Sequence, residues 1–173
     1  MRVISAFKIS PIRVEELIFD LCKRYSAVAG DFQVVIIEDS SDDLRTATRV
    51  LNGIGIHEVA TFSRIPEAMI YLEEIAAGGR ECPDLMLLDL NLGNDSGFEV
   101  LRYYKSTPSL QRCQIIVWSG SGASEKELCR HFGVECVDKG EGDAVLAAAI
   151  WSRASKKHVE GAGNHGQARG FLS

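Results

Sequence analysis

The feature that most constrains this chain is a short apolar run that ends on a carboxylate. The four residues Leu85–Leu88 are all apolar, without the alternation that a half-exposed strand shows. Such a run predicts a strand buried on both faces, as in a parallel sheet covered by helices. Asp89 follows at once, and Gly93 and Gly97 lie in the loop beyond it. A carboxylate there either faces a ligand at the carboxyl end of the strand or caps the next helix.

Strand-like and helix-like segments alternate through most of the chain. Each predicted strand is followed by a segment with apolar residues at helical spacing, and the strands are Val34–Ile37, His57–Phe62, Leu85–Asp89, Ile115–Trp118 and Cys136–Val137. This alternation predicts an α/β fold: a doubly wound, five-stranded parallel sheet, (βα)₅, with helices on both faces. We assign it to residues 31–154.

The segments outside residues 31–154 have a different character. Residues 1–30 form an N-terminal extension in which Pro11 could begin an amphipathic helix over about residues 11–28. We expect the last helix to cover Ala144–Arg153. Residues 155–173 are polar and glycine-rich, and this composition is typical of a flexible tail.

Composition excludes several classes of function. The net charge of −5 gives no support for binding nucleic acid or an anionic membrane surface. No apolar run approaches the ~20 residues of a membrane span. The five cysteines are scattered and form no C-x-x-C pair, and with few histidines they show no zinc spacing. This usage favours reduced thiols and a cytoplasmic location.

Polar side chains follow four of the five predicted strands, and in a parallel sheet these ends share one edge. They are Glu38, Asp39, Asp89, Ser119 and Lys139. Clustered carboxylates repel one another unless a cation joins them, and their hard oxygen atoms suit Mg²⁺. A carboxylate nucleophile, a divalent metal, an ammonium and a hydroxyl are the parts needed to form an aspartyl phosphate.

Four ordered motifs resemble the receiver domain of two-component response regulators: Ile36–Asp39, Leu87–Leu92, Ile116–Gly120 and Val137–Lys139. The resemblance implies a flavodoxin-like sheet with strand order 2-1-3-4-5. It also implies that Asp89 accepts a phosphoryl group from the phosphohistidine of a sensor kinase, with Ser119 as the switch hydroxyl and Lys139 as the conserved lysine of the family. The Mg²⁺ ligands it implies are Glu38, Asp39, Asp89 and the backbone carbonyl of Asn91.

The resemblance further implies a single-domain phosphoacceptor rather than a turnover enzyme. The segment after the last predicted helix is too short for a DNA-binding domain, so we expect output through a downstream protein target or a phosphotransfer protein. Residues 89–92 and 99–101 faintly resemble receivers that partner phytochrome-type light sensors. The predicted helix of residues 11–28 finds no vacant sheet face in its own domain, and we expect it to join a homodimer. The alternative is that it packs against an exposed edge of its own sheet.

Three residues depart from the family pattern. Gly93 stands where a proline usually follows the phosphoacceptor, and Gly140 replaces the proline that usually follows the lysine. Cys136 occupies the position of the switch aromatic residue. We therefore expect a looser loop after Asp89 and a weaker version of the usual coupling between hydroxyl and aromatic ring.

Three other readings compete with a phosphorylatable receiver. A degenerate receiver would act only as a phosphorylation-independent binding module, but the acidic residues, Ser119 and Lys139 are all present. An aspartate-nucleophile phosphohydrolase would need a second acid where this chain has Asn91. A dinucleotide-binding domain is disfavoured because no G-x-G-x-x-G follows the first strand.

Overall fold

The computed structural model describes residues 31–93, 95–120 and 122–165, with side chains up to residue 157 in the last helix. The predicted helix of residues 11–28 lies outside these residues. The described elements are, in chain order, β1 Val34–Ile37, α1 Ser41–Gly53, β2 Val59–Phe62, α2 Ile65–Ala76, β3 Leu85–Leu88, β4 Asn91–Leu92, β5 Asp95–Ser96, α3 Phe98–Ser106, β6 Gln114–Ser119, α4 Ala123–Phe132, β7 Glu135–Asp138 and α5 Asp143–His165. Short 3₁₀ turns cover Pro108–Arg112 and Lys139–Glu141.

The main sheet is parallel, with strand order β2-β1-β3-β6-β7. Strands β4 and β5 do not join it, because they pair with each other as a small antiparallel hairpin. Counting only the strands of the main sheet, the order is 2-1-3-4-5. The predicted doubly wound (βα)₅ fold is therefore confirmed.

Two apolar layers cover the two faces of the sheet. On one face α1 and α5 pack against alternate strand residues that include Ile36, Leu87 and Trp118. On the other face α2, α3 and α4 pack against the intervening residues, such as Ile37 and Leu88. Since successive side chains of a strand point to opposite faces, covering both faces requires unbroken apolar runs. This explains why β1 and β3 consist only of apolar residues.

The loop after β3 returns very close to the strand end. An added Cβ atom at Gly97 would lie 2.2 Å from the carbonyl oxygen of Asp89 and 2.9 Å from the Cα atom of Leu90. The Gly97 N–H also donates a hydrogen bond of 3.0 Å to the carbonyl of Leu90. Only glycine permits this approach, so Gly97 fixes the path of the chain around Asp89.

The last helix is longer than the sequence analysis predicted. It begins at Asp143 and continues to His165 rather than ending at Arg153, so part of the segment assigned as a tail is helical. Lys157 holds the added length, because its Nζ lies 2.7 and 2.8 Å from the two carboxylate oxygens of Asp84 and 3.3 Å from the carbonyl of Asp31. Neither this helix nor any other in the described part of the chain combines the length and apolar character needed to cross a membrane.

Candidate functional site

Three carboxylates meet at the carboxyl edge of the sheet. Glu38 and Asp39 follow β1, Asp89 follows β3, and these strands are parallel neighbours in register. One oxygen of each carboxylate lies within 4.8 Å of the others. Glu38 and Asp89 are buried while Asp39 is exposed, so the cluster has one open side. Close carboxylates with one open side match the oxygen donors that a divalent cation requires.

Lys139 lies against this cluster and begins the 3₁₀ turn after β7. Its Nζ donates hydrogen bonds of 2.7 Å to Glu38 Oε2, Asp43 Oδ2 and Asp89 Oδ2. An ammonium group has three N–H donors, and each has a carboxylate partner here. The Nζ also lies 5.1 Å from the centre of the Trp118 ring, within the range of a cation–π contact. Lys139 therefore partly neutralises three closely spaced carboxylates.

Burial and charge have opposite effects on these groups. Burial raises the pKa of Glu38 to about 7, although hydrogen bonds from Lys139 and from the Ser40 N–H act to lower it. For Lys139, burial acts to lower the pKa, but the hydrogen bonds to three carboxylates keep it above its ordinary value. The ammonium is therefore charged at neutral pH. A second cation at the open side would favour the ionised form of Glu38.

Asp89 presents its second oxygen to the loop beyond it. Asp89 Oδ1 accepts a hydrogen bond of 3.0 Å from the Asn91 N–H. The side-chain amide of Asn91 donates to Ser119 Oγ at 3.2 Å and to Glu125 Oε1 at 2.9 Å. Ser119 is fully buried at the end of β6. Asn91 thus connects the carboxylate, the hydroxyl and the first turn of α4.

Local capping interactions position the side chains of Asp43 and Lys139 at the site. Ser40 caps α1 by accepting a hydrogen bond from the Asp43 N–H at 3.3 Å, which brings the first turn of that helix over the cluster. Asp138 accepts a hydrogen bond of 2.9 Å from the Gly140 N–H and so shapes the turn that carries Lys139. A proline at position 140 would have no N–H to donate. Gly140 therefore supports a turn that the residue usual in the family could not form.

The backbone conformation at position 93 explains why the chain has glycine there and not proline. Its φ of 59° is left-handed, which proline cannot adopt because its ring holds φ near −65°. A Cβ atom at this position would lie 3.3 Å from Asp39 Oδ2. The loop between β4 and β5 therefore has a backbone conformation that proline would not allow, and it passes close to the acidic cluster.

All the residues predicted from the sequence lie at this edge, namely Glu38, Asp39, Asp89, Asn91, Ser119 and Lys139. The prediction missed Asp43 and Glu125. Asp43 could have been found, since a helix that starts directly after the acidic pair must place its first turn at the same edge. Glu125 carries no comparable signal, because its position depends on the path of the loop after Ser119.

Comparison with known sequences gives two findings. A family model for the response regulator receiver domain matches residues 34–150. Response regulator Rcp1 from Synechocystis sp. (strain ATCC 27184 / PCC 6803 / Kazusa) is 34% identical over 90 residues, covering 51% of this chain and 61% of Rcp1. The sequence match therefore spans less than two thirds of the length of that relative.

Two solved structures are similar in fold. The Mn²⁺-bound form of response regulator Rcp1 is 28% identical with a TM-score of 0.60, covering 70% of this chain and 92% of the other. The phosphorylated cyanobacterial phytochrome response regulator RcpA is 32% identical with a TM-score of 0.57, covering 69% of this chain and 88% of RcpA. The resemblance to receiver domains that the motifs indicated is thus confirmed.

Removing the Lys139 ammonium should destabilise the fold. In the variant Lys139→Ala the buried carboxylates of Glu38 and Asp89 lose their counter-ion, and we expect the free energy of unfolding at pH 7 to fall by about 2–4 kcal/mol. Urea denaturation in buffer with EDTA measures this change. The matched control is Lys126→Ala, whose ion pairs with Asp138 and Glu141 are more exposed and should matter little. Equal stability of both variants would contradict the role assigned to Lys139.

Proposed function

We propose that this chain, which belongs to the response regulator receiver domain family, accepts a phosphoryl group on Asp89 from the phosphohistidine of a sensor kinase. The observation that carries the proposal is the environment of the Asp89 carboxylate. Its carboxylate is only 5% exposed, contacts the Lys139 ammonium at 2.7 Å and shares the edge with two other carboxylates. RcpA, a relative of this chain, is a response regulator whose structure is that of the phosphorylated form.

The proposed reaction needs little from the protein beyond position and charge. An oxygen of the Asp89 carboxylate attacks phosphorus while the bond from phosphorus to the histidine nitrogen breaks, and the imidazole keeps that electron pair. An ionised carboxylate has no proton to lose on attack, so the step requires no general base. Lys139 offsets negative charge on the group in transfer, and the Ser119 hydroxyl offers a donor to the phosphoryl oxygens. The product is an acyl phosphate, which makes this chain a phosphoacceptor rather than a turnover enzyme.

The acidic cluster fits a magnesium ion. We assign Asp39 and Asp89 as ligands, with Glu38 acting through water and the Asn91 backbone carbonyl as a further ligand. The fit rests on the three clustered carboxylates and on the open side at Asp39. When bound, the ion neutralises charge on the phosphoryl group and its donor. The Mn²⁺-bound form of Rcp1 shows that a related receiver takes a divalent cation.

We also propose a phytochrome-type kinase as the phosphodonor, since RcpA is a phytochrome response regulator. Output would run through contacts with a downstream protein target or a phosphotransfer protein. The cytoplasmic location expected from the thiols remains a prediction. A phosphorylation-independent binding module is the second candidate, but it would have no use for the ammonium and hydroxyl beside Asp89. A phosphohydrolase is disfavoured because the Asn91 amide cannot serve as a general acid.

A homodimer through the N-terminal extension completes the proposal. Both faces of the sheet are already covered by the five described helices α1–α5. A further amphipathic helix over residues 11–28 would therefore expose apolar side chains, each forgoing roughly 1.5–3 kcal/mol of burial. Packing against a second copy removes this cost. The division into residues 1–30, 31–154 and 155–173 belongs to the same proposal.

The first prediction concerns the phosphoacceptor. With Mg²⁺ and a small phosphodonor, the chain should gain an acid-stable, base-labile acyl phosphate, and Asp89→Asn should gain none because it lacks the nucleophile. Intact-protein mass spectrometry measures the added phosphoryl group. The control Asp95→Asn changes an exposed carboxylate in the same loop and should label as the parent chain does. Equal labelling of Asp89→Asn and the parent chain would show that another residue is the acceptor.

The second prediction concerns the metal. Mg²⁺ should quench or enhance the fluorescence of Trp118, because the ion would alter the charge balance around Lys139, 5.1 Å from that ring. Asp39→Ala removes a proposed ligand, and we expect its dissociation constant for Mg²⁺ to rise at least roughly tenfold. Asp42→Ala, whose side chain is 85% exposed, serves as the control. An unchanged constant for Asp39→Ala would remove Asp39 from the proposed ligand set.

The third prediction concerns the extension. The full chain should sediment as a dimer, whereas a shortened chain beginning at Asp31 should sediment as a monomer. The reason is that residues 1–30 carry the apolar surface proposed to join the copies. Analytical ultracentrifugation over a range of concentrations measures both masses. If the two chains form the same oligomer, the contact between copies lies elsewhere.

A further inference from the structure

We propose that Glu125 is a positioning residue that links the phosphorylation site to α4 through the side-chain amide of Asn91. The inference rests on the function proposed above. It assigns a role to a residue that lies outside the acidic cluster and the Lys139 contacts. The link consists of Ser119, Asn91 and Glu125.

The contacts of Asn91 join three separate elements. Its backbone N–H donates to Asp89 Oδ1 at 3.0 Å, so the residue is tied to the proposed phosphoacceptor. Its side-chain amide reaches Ser119 Oγ at 3.2 Å and Glu125 Oε1 at 2.9 Å. Ser119 ends β6, and Glu125 lies in the first turn of α4. A change in the direction of this one amide therefore affects both the hydroxyl and the helix.

The Glu125 carboxylate is held in a costly arrangement. Its Oε1 accepts the charge-assisted hydrogen bond from Asn91, but Oε2 is buried without a hydrogen-bond partner among the described residues. An unsatisfied buried carboxylate oxygen is unfavourable. If the amide of Asn91 turns away, the carboxylate loses the contact that keeps it inside. Glu125 and the first turn of α4 should then move outwards, where water can solvate both oxygens.

A phosphoryl group on Asp89 would turn the amide away. It brings three strong acceptor oxygens close to Ser119 Oγ and to Asn91. The Ser119 hydroxyl then donates to the phosphoryl group, and the Asn91 amide has a new acceptor that competes with Glu125. The contact between Asn91 and Glu125 thus stabilises the resting state alone. This route reaches α4 without an aromatic ring at position 136, where the chain has Cys136.

Beryllofluoride with Mg²⁺, a stable mimic of the phosphoryl group, tests the link without any kinase. In Glu125→Ala the resting contact is lost, and we expect beryllofluoride to bind roughly three- to tenfold more tightly than to the parent chain. Trp118 fluorescence measures the binding. The matched control is Glu127→Ala, which removes the same charge from an exposed position of the same helix and should bind as the parent chain does.

Two further measurements separate positioning from a general effect on the fold. Beryllofluoride should increase hydrogen exchange over residues 122–128 of the parent chain and of Glu127→Ala, but not of Glu125→Ala, in which the turn is already released. In Asn91→Ala/Glu125→Ala the affinity should equal that of Asn91→Ala alone, because the second change breaks a contact that the first has already removed. Glu125→Gln keeps an acceptor and the side-chain volume, so its gain should be smaller than that of Glu125→Ala.

The outcomes are distinguishable. If the parent chain binds beryllofluoride but Glu125→Ala and Glu125→Gln match it in both affinity and exchange, the link is overturned while the proposed function stands. Additive effects of the Asn91 and Glu125 changes would also overturn the link, since Glu125 would then act by another route. If the parent chain does not bind beryllofluoride in the presence of Mg²⁺, both the proposed function and the link are overturned.

Discussion

The attraction of the Lys139 ammonium for three carboxylates is the interaction on which the functional edge depends. Glu38, Asp43 and Asp89 come from β1, α1 and β3, and each is 2.7 Å from the same nitrogen. Without that charge their mutual repulsion would oppose the fold, because a partly buried site screens charges poorly. The same contacts fix the ammonium in one place. Any added charge at Asp89 must therefore be balanced through three elements of the structure at once.

Much of this arrangement could be predicted from the sequence, since the controlling signals are strong. Unbroken apolar runs of about four residues between turn signals favour strands with both faces covered. Parallel strands then place Glu38, Asp89 and Ser119 at one edge. The hairpin of β4 and β5 escaped prediction because two-residue strands carry no periodicity. The length of α5 was underestimated, since glycines after residue 160 resembled a tail, whereas Lys157 holds the preceding turn in place.

Glycine positions explain how a chain that departs from the family pattern keeps a complete site. Gly97 lets the backbone pass against Asp89, and Gly93 takes a left-handed conformation next to Asp39. The Gly140 N–H donates to the Asp138 side chain and so completes the turn that carries Lys139. These departures alter the paths of the loops while the charged side chains stay within contact. The site is therefore defined by the sheet edge and less by the loops that surround it.

The contact of Lys157 with Asp84 and Asp31 has a consequence for access to the site. It joins the last helix to the residues that precede β1, at the edge of the sheet opposite the carboxylates. The four-residue strands separate the two edges by roughly 13 Å. Asp31 and the turn of α5 that carries Lys157 therefore lie side by side, away from the acidic cluster. A protein that approaches the carboxylate edge would meet neither of these two parts of the chain.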